Sequence, residues 1–223
     1  MEELGIYAAM SSTRAVRRLR PDPVPDAVLR RVLTAATWAP SGGNRQPWRI
    51  VVVRRAETKQ RLGALYLARW RDYAAAGRAQ LGALPEAARA RSVRTYAAGD
   101  YLAEHWAEVP VLLVFCFDPG GLAITDRALS RPSVVGGGSL YPAVQNTLLA
   151  CRNEGLGCVL TTLLCADEPE IAPLLGLPPP WATYGFVPIG YPVGRGHGEL
   201  SRRPVEQMAY ADRWGDALAL DDG

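Results

Sequence analysis

Apolar residues along this chain alternate between a helical spacing of three and four and short unbroken runs, and the changes fall at Pro, Gly or Asp. A first helix is expected from Leu4 to Ala15, followed by a connector punctuated by Pro21, Pro23 and Pro25. Leu29, Val32, Leu33 and Ala36 then recur at i, i+3, i+4 and i+7. Pro25 and Asp26 are start signals for this amphipathic helix, and Pro40 ends it. Trp48 to Val53 reads as a continuous apolar strand, and Glu57 to about Tyr66 as a short helix. From Tyr66 to Tyr101, Gly77, Gly82 and Pro85 interrupt the helical pattern, which predicts two short helices joined near Gly82 to Pro85.

His105 and Trp106 fall on a helix before Val109 to Phe117, a buried strand with Pro110 near its start. Asp118-Pro119-Gly120-Gly121 marks a turn, and Leu122 to Gly138 is a loop without pattern. Ser139 is placed to N-cap a helix whose face is Tyr141, Val144, Leu148 and Cys151, with Gly155 as its stop. Cys158 to Thr162 is a second buried strand. Asp167 caps a short helix that runs through Leu175 to Gly176, Thr183 to Val193 is a strand broken by Pro188, and the tail from Pro204 is a helix or an arm. Four strands within a larger helical mass predict an α+β domain. At 223 residues, one domain over the whole chain is expected.

Composition narrows the function classes. No apolar run is long enough to cross a bilayer, and Met1 to Met10 hold two acids and no basic stretch of the kind that opens a signal peptide, so a cytoplasmic location and no membrane partner are expected. Cys116, Cys151, Cys158 and Cys165 lack metal-site spacing and read as reduced thiols. The net charge of +3 is modest, and the Arg14, Arg17, Arg18, Arg20 cluster lacks the length and aromatic interleaving of a nucleic-acid surface. Between residues 66 and 101, six arginines face three acids, a surplus equal to the net charge of the protein. That segment is either a solvated helical face or a cap over a binding site.

The sequence contains no G-x-G-x-x-G, P-loop, G-x-S-x-G or H-E-x-x-H, and only His105 and His197 as histidines, the latter in a Gly-rich loop expected to be solvent-exposed. An enzyme with this inventory relies on a cofactor for its chemistry. The stretch from Trp38 to Trp48 suits one kind of ligand. Gly42 and Gly43 allow close backbone approach to a planar ring, and the amides of Asn44 and Gln46 both donate and accept, which matches the O=C–N–H edge of a uracil-like ring. The plainer reading is a helix-to-strand loop with Trp48 as a core anchor.

Thr13-Arg14-Ala15-Val16-Arg17-Arg18-Leu19-Arg20 with Pro23-Val24-Pro25, then Ala39-Pro40-Ser41-Gly42-Gly43-Asn44 with Gln46-Pro47-Trp48, resemble the opening of the FMN-dependent nitroreductase family. Gln145-Asn146, Gly155-Leu156-Gly157, Thr161-Thr162 and Arg202-Arg203-Pro204 follow in the family's order, so the resemblance runs over nearly the whole chain. It implies a mixed central sheet surrounded by helices, and a homodimer that exchanges C-terminal arms. It implies FMN as cofactor and NAD(P)H as electron donor, with ping-pong reduction of a nitroaromatic, quinone or related small acceptor.

Carried over residue by residue, the resemblance assigns Arg14, Arg202 and Arg203 to the FMN phosphate. Arg17 goes to the pyrimidine edge, where a cation supports the reduced anion. The strand-end N–H facing flavin N5 belongs to Thr161, Thr162 or Leu163. From the partner subunit, Pro40, Ser41 and Gly42 line the flavin with Asn44 at its pyrimidine edge, while Gln145 and Asn146 satisfy buried backbone. The family often has two basic residues and then Ser where this chain has Thr13-Arg14-Ala15, so a cation and a hydroxyl are missing and Ala15 offers main chain only. No essential protein acid or base is expected. The alternatives are a non-catalytic flavin-binding or flavin-sequestering protein, a reductive dehalogenase or flavin destructase on the same fold, and an Arg-rich helical interaction protein without cofactor.

Overall fold

A computed structural model describes residues 4–220. In chain order its elements are α1 Ile6–Ser12, α2 Asp26–Thr37, β1 Trp48–Val53, α3 Ala56–Ala79, α4 Glu86–Glu104, β2 Val111–Phe117, α5 Tyr141–Asn153, β3 Gly157–Cys158, α6 Glu168–Leu175 and β4 Ala182–Gly190. The strands form one sheet in the order β1-β2-β4-β3. The α+β class and the helix-wrapped sheet are as the sequence predicts. The three pairings are all antiparallel, so the four strands of this chain do not by themselves supply the mixed character expected of the sheet.

The central strand β2 shows why its sequence is an unbroken apolar run. Leu112, Val114 and Cys116 point into a core with Leu62, Tyr66 and Trp70 of α3 and Leu102 of α4. Val111, Leu113 and Phe115 point the other way, into a core with Leu29, Val32 and Ala36 of α2 and Val144 and Cys151 of α5. A strand with helices on both faces has no solvent side, so the period-two signal disappears.

Five expectations are corrected. The short helix and the two short helices around Tyr66 are instead the long pair α3 and α4, hinged at residues 80–85. Gly77 does not break α3: a Cβ there would overlap the Tyr96 ring, and one on Gly99 of α4 would overlap the Trp70 ring. These glycines are close-packing positions inside the hairpin. Pro188 does not break β4. Phe186 N–H donates to Thr161 O, so the even-numbered positions of β4 face β3, and Pro188 falls between the Thr161–Phe186 bridge and the two-residue β3 pairing, where a ladder donor is not needed.

Ser139 does not cap α5, which begins after Leu140 without a side-chain cap; its hydroxyl accepts from Gly42 N–H at 3.0 Å. Asp167 precedes α6 but makes no cap hydrogen bond, because Arg69 holds both its carboxylate oxygens. The expected buried strand at Cys158 to Thr162 is reduced to β3 and the isolated bridge at Thr161.

α1 ends at Ser12, where the hydroxyls of Ser12 and Thr13 bond back to Ala8 O and Ala9 O. The chain then runs extended along the β3 edge: Val16 N–H donates to Cys158 O and Arg20 N–H to Tyr191 O, both at 2.8 Å. Gly157 permits this approach, since a Cβ there would strike Val16 and Leu19. Val16 and Leu19 are buried, which leaves the arginines between and around them to face outward. On the far side, Gly198 and Leu200 N–H groups donate to Ser12 O and Ser11 O, which brings the residues before Pro204 alongside the same segment.

Candidate functional site

The extended segment after α1 separates two clefts. One, of about 470 Å³, is walled by Gln145 and Leu148 of α5 and by Cys158 and Leu160. The other, of about 620 Å³, is walled by Arg91, Arg94 and Thr95 of α4. Thr13, Arg14, Ala15, Arg17 and Arg202 line both. Of the expected phosphate ligands, Arg14 and Arg202 therefore come together with Ala15 and Arg17, whereas Arg203 is exposed and lines neither cleft. The Thr13 hydroxyl is engaged with Ala9 O at 2.7 Å, so it does not act as a free substitute for the hydroxyl absent at Ala15.

Arg17 is half-buried and, among the described residues, makes neither an ion pair nor a side-chain hydrogen bond. Burial pushes its guanidinium pKa down, while the nearby Tyr66 and Tyr73 act in the other direction. A desolvated cation without an anion is costly, which makes this position complementary to a negatively charged ligand. Tyr66 is buried and its hydroxyl pKa is pushed up by that burial, against the influence of Thr161 and Arg17 beside it. Arg17, Tyr66 and Thr161 thus link the clefts to the end of the broken strand.

At that strand end the main-chain donors differ. Thr161 exchanges both backbone bonds with Phe186 at 2.9 Å, so its N–H is committed. Leu163 N–H makes only a long 3.4 Å contact to the Thr161 hydroxyl, and Thr162 N–H has no acceptor among the described residues. α3 packs on the turn from Leu163 to Asp167, fixed by the Arg69–Asp167 pair. Gln145, expected to serve buried backbone, faces the first cleft; Asn146 does serve it, donating to Ala35 O at 3.1 Å.

The Pro40–Asn44 loop stands apart. Pro40, Gly42 and Asn44 are exposed, and among the described residues no hydrogen bond or shared cleft joins them to Arg14 or Arg17. Ser41 Oγ accepts from Gln46 N–H at 2.9 Å, and Gln46 Nε2 donates to Asn44 Oδ1 at 3.0 Å. Asn44 and Gln46 both hold positive φ, of 53° and 49°, without being glycine. Such strain persists only where the surroundings enforce it. Trp48 is the core anchor that the plainer reading of this stretch expects.

His197 is buried, not solvent-exposed. The positive φ angles of Gly194 and Gly196 turn its loop back over Pro192 and Val16. Its Nε2–H donates to Leu156 O at 2.8 Å, and its Nδ1 accepts from Arg14 N–H at 3.2 Å. A carbonyl only accepts, so the ring is held as the neutral Nε2–H tautomer. Burial pushes its pKa down, the Leu156 bond partly opposes this, and Arg152 and Arg14 add to the depression. His105 caps α4, donates to Tyr101 O and stacks on the Tyr101 ring, away from both clefts.

Residues 10–191 match the sequence model of the Nitroreductase family. Among curated proteins, the chain is 32% identical to an NADH dehydrogenase of Thermus thermophilus, covering 92% of this chain and 95% of that one. It is 27% identical to rat iodotyrosine deiodinase 1, covering 93% and 70%. Among solved structures, a nitroreductase with bound FMN from Desulfitobacterium hafniense superposes with a TM-score of 0.63 at 22% identity, over 95% of this chain and all of that one.

Proposed function

This chain belongs to the nitroreductase family, and on that premise we propose that it is an FMN-dependent oxidoreductase that takes reducing equivalents from NAD(P)H and passes them by a ping-pong mechanism to a nitroaromatic, quinone or related small acceptor. The observation that carries the proposal is Arg17, a half-buried guanidinium with no anionic partner among the described residues, set beside Arg14 and Arg202 in one cleft. That donor set fits a phosphorylated, electron-accepting ring. Bound FMN supplies the two-electron chemistry. Arg14 and Arg202 hold its phosphate through charge-assisted bonds, and Arg17 neutralises charge that develops at the pyrimidine edge. Thr162 N–H or Leu163 N–H is the donor toward N5, since Thr161 N–H is already used. His197 fixes the backbone that carries Arg14.

The separation of the Pro40–Asn44 loop from these arginines supports a two-chain site, in which that loop lines the partner's flavin. A groove between α1, α2 and α5, with Trp38 75% exposed at its edge, is the surface proposed for the homodimer. The α3–α4 hairpin serves as the cap. No helix among the described residues is long and apolar enough to cross a membrane, and a cytoplasmic enzyme is proposed.

Two measurements test this reading. The purified protein should carry a flavin spectrum, and its FMN-free form should quench added FMN fluorescence on binding; colourless protein that fails to quench rejects it. FMN-loaded protein should oxidise NADH or NADPH, and its failure to oxidise either leaves only a flavin-binding module. Dehalogenation of an amino-acid zwitterion is less well supported. The single lysine of the chain, Lys59, lies in the first turn of α3, buried with its Nζ donating to Val109 O at 2.6 Å, and so offers no free ammonium to a substrate carboxylate.

A further inference from the structure

The arginine surplus of the cap is not evenly distributed. Arg69 and Arg78 are paired, with Asp167 and Asp100. Arg91 and Arg94 have no ion-pair partner among the described residues; one helical turn apart on α4, they line the second cleft opposite Arg14, Arg17 and Arg202. The one carboxylate in that cleft lining is Glu199. Five guanidinium groups against one carboxylate leave a formal charge of +4 in the lining. A single phosphate monoester, which carries close to two negative charges, leaves about half of that uncompensated. The first cleft shares Arg14, Arg17 and Arg202 but has apolar and amide walls on its other side, so Arg91 and Arg94 are surplus to whatever fills it.

We infer that Arg91 and Arg94 form a second phosphate site, which receives the monoester of a phosphorylated dinucleotide and makes NADPH the preferred electron donor over NADH. A terminal monoester offers three charged oxygens to two guanidinium forks, whereas each phosphate of a diphosphate bridge carries one charge and two free oxygens. The chemistry that separates the two donors is the 2′-phosphate. This inference rests on the oxidoreductase reading above for its biological meaning, but the site is testable without turnover.

The test pairs two readouts on FMN-loaded wild-type protein and an R91Q/R94Q double variant, both changes lying on an exposed helix face. In calorimetry, NADP+ should bind wild type at least about tenfold more tightly than NAD+, which lacks only the 2′-phosphate, as expected for one added charge-assisted contact. The variant and high salt should each abolish the difference. In steady-state assays, kcat/KM should favour NADPH in wild type and become equal for the two donors in the variant, through loss on the NADPH side with NADH unchanged. Equal binding of NADP+ and NAD+ by wild type, or a variant that keeps the preference, overturns the inference. Inactivity with both donors would overturn the oxidoreductase reading instead, while the calorimetric comparison would still decide the phosphate site.

Discussion

The main-chain N–H of Arg14 donates to Nδ1 of His197 across 183 residues of sequence, and the other ring nitrogen of His197 donates to Leu156 O. One buried imidazole therefore ties together three pieces of chain: the extended segment after α1, the turn before β3 and the loop after β4. Because both ring nitrogens are used, the tautomer is fixed and a second proton has no acceptor in that setting. The position of Arg14 depends on a neutral ring at the edge of a strongly cationic cleft.

A pH dependence of stability follows. The folded-state pKa of His197 lies below its free value of 6.5. Above that value the ring is neutral folded or unfolded, and its full contribution to stability is present. As pH falls below about 6.5 the unfolded chain takes up a proton that the folded protein resists, so stability drops by at most about 1.4 kcal/mol per pH unit until the folded pKa is passed. His197→Asn keeps an acceptor for Arg14 N–H and does not titrate. Urea unfolding between pH 7 and pH 5 should show a steeper loss for wild type than for this variant. Equal slopes would mean that His197 titrates normally.

Cofactor affinity should separate the arginines. Replacing Arg14, Arg17 or Arg202 with Ala is expected to weaken FMN binding by about 1.5–3 kcal/mol each, the cost of losing a bond to a charged group. Arg203 lines neither cleft, and its replacement should change affinity by less than about 1 kcal/mol, as for an exposed charge. Fluorescence titration of FMN-free protein measures all four. If Arg203 proves as important as Arg202, the tail adopts a different course in the assembled enzyme.

What the sequence discloses follows the range of the forces involved. α2 and β1 are legible because local pattern and punctuation agree with burial: Pro25 and Pro40 bracket one, and the apolar run from Trp48 to Val53 is the other. Gly77 and Pro188 mislead because each is placed by a partner distant in sequence, namely Tyr96 and the gap in the β3 pairing. At the site, Arg14, Arg17 and Arg202 were identifiable from motif resemblance. His197 was not, since its partners lie 41 and 183 residues away and a histidine between glycines reads locally as solvent-exposed.

The cap hairpin gives a packing test. A methyl added at Gly99 meets the buried Trp70 ring, whose indole N–H is also held by Asp100 at 2.8 Å, so the ring has little freedom to withdraw. Gly99→Ala should destabilise the protein by about 1–3 kcal/mol, the cost of overpacking. Gly82→Ala, with open space around it, should be neutral or slightly stabilising. Chemical denaturation of the two variants distinguishes a packed glycine from a merely flexible one, and equal effects would refute the assignment.

Truncation probes the assembly. Residues 205–220 are largely exposed, with Trp214 90% accessible, and Trp38 borders the apolar groove between α1, α2 and α5. An apolar groove rimmed by an exposed aromatic is the kind of surface that binds another chain. Deleting the residues after Pro204 should lower dimer stability and FMN retention together, and Trp38→Ala should weaken the dimer without altering the arginine clefts. Light scattering across a dilution series, with the flavin spectrum recorded on the same samples, reads both. A monomer that retains flavin would exclude the two-chain site.

The kinetic prediction concerns proton and charge handling. If donor and acceptor use one pocket in turn, varying both substrates should give parallel double-reciprocal lines. No histidine lines either cleft: His105 is spent on Tyr101 O and its ring stack, and His197 faces backbone on both sides. The titratable side chains in the cleft lining are arginines and Glu199, apart from the buried thiol of Cys158. Turnover should therefore survive His105→Ala with less than about a tenfold change, far below the hundredfold or more that a general acid or base contributes. His197→Ala, which removes the acceptor for Arg14 N–H, should act differently, lowering FMN retention through Arg14 while leaving kcat of the fully loaded protein within the same range. Arg17→Gln should reduce kcat itself, because Arg17 is the cation proposed to stabilise charge formed during the reaction. Intersecting lines, or a thousandfold loss from His105→Ala, would overturn this account, and an Arg17→Gln enzyme with unchanged kcat would confine Arg17 to binding.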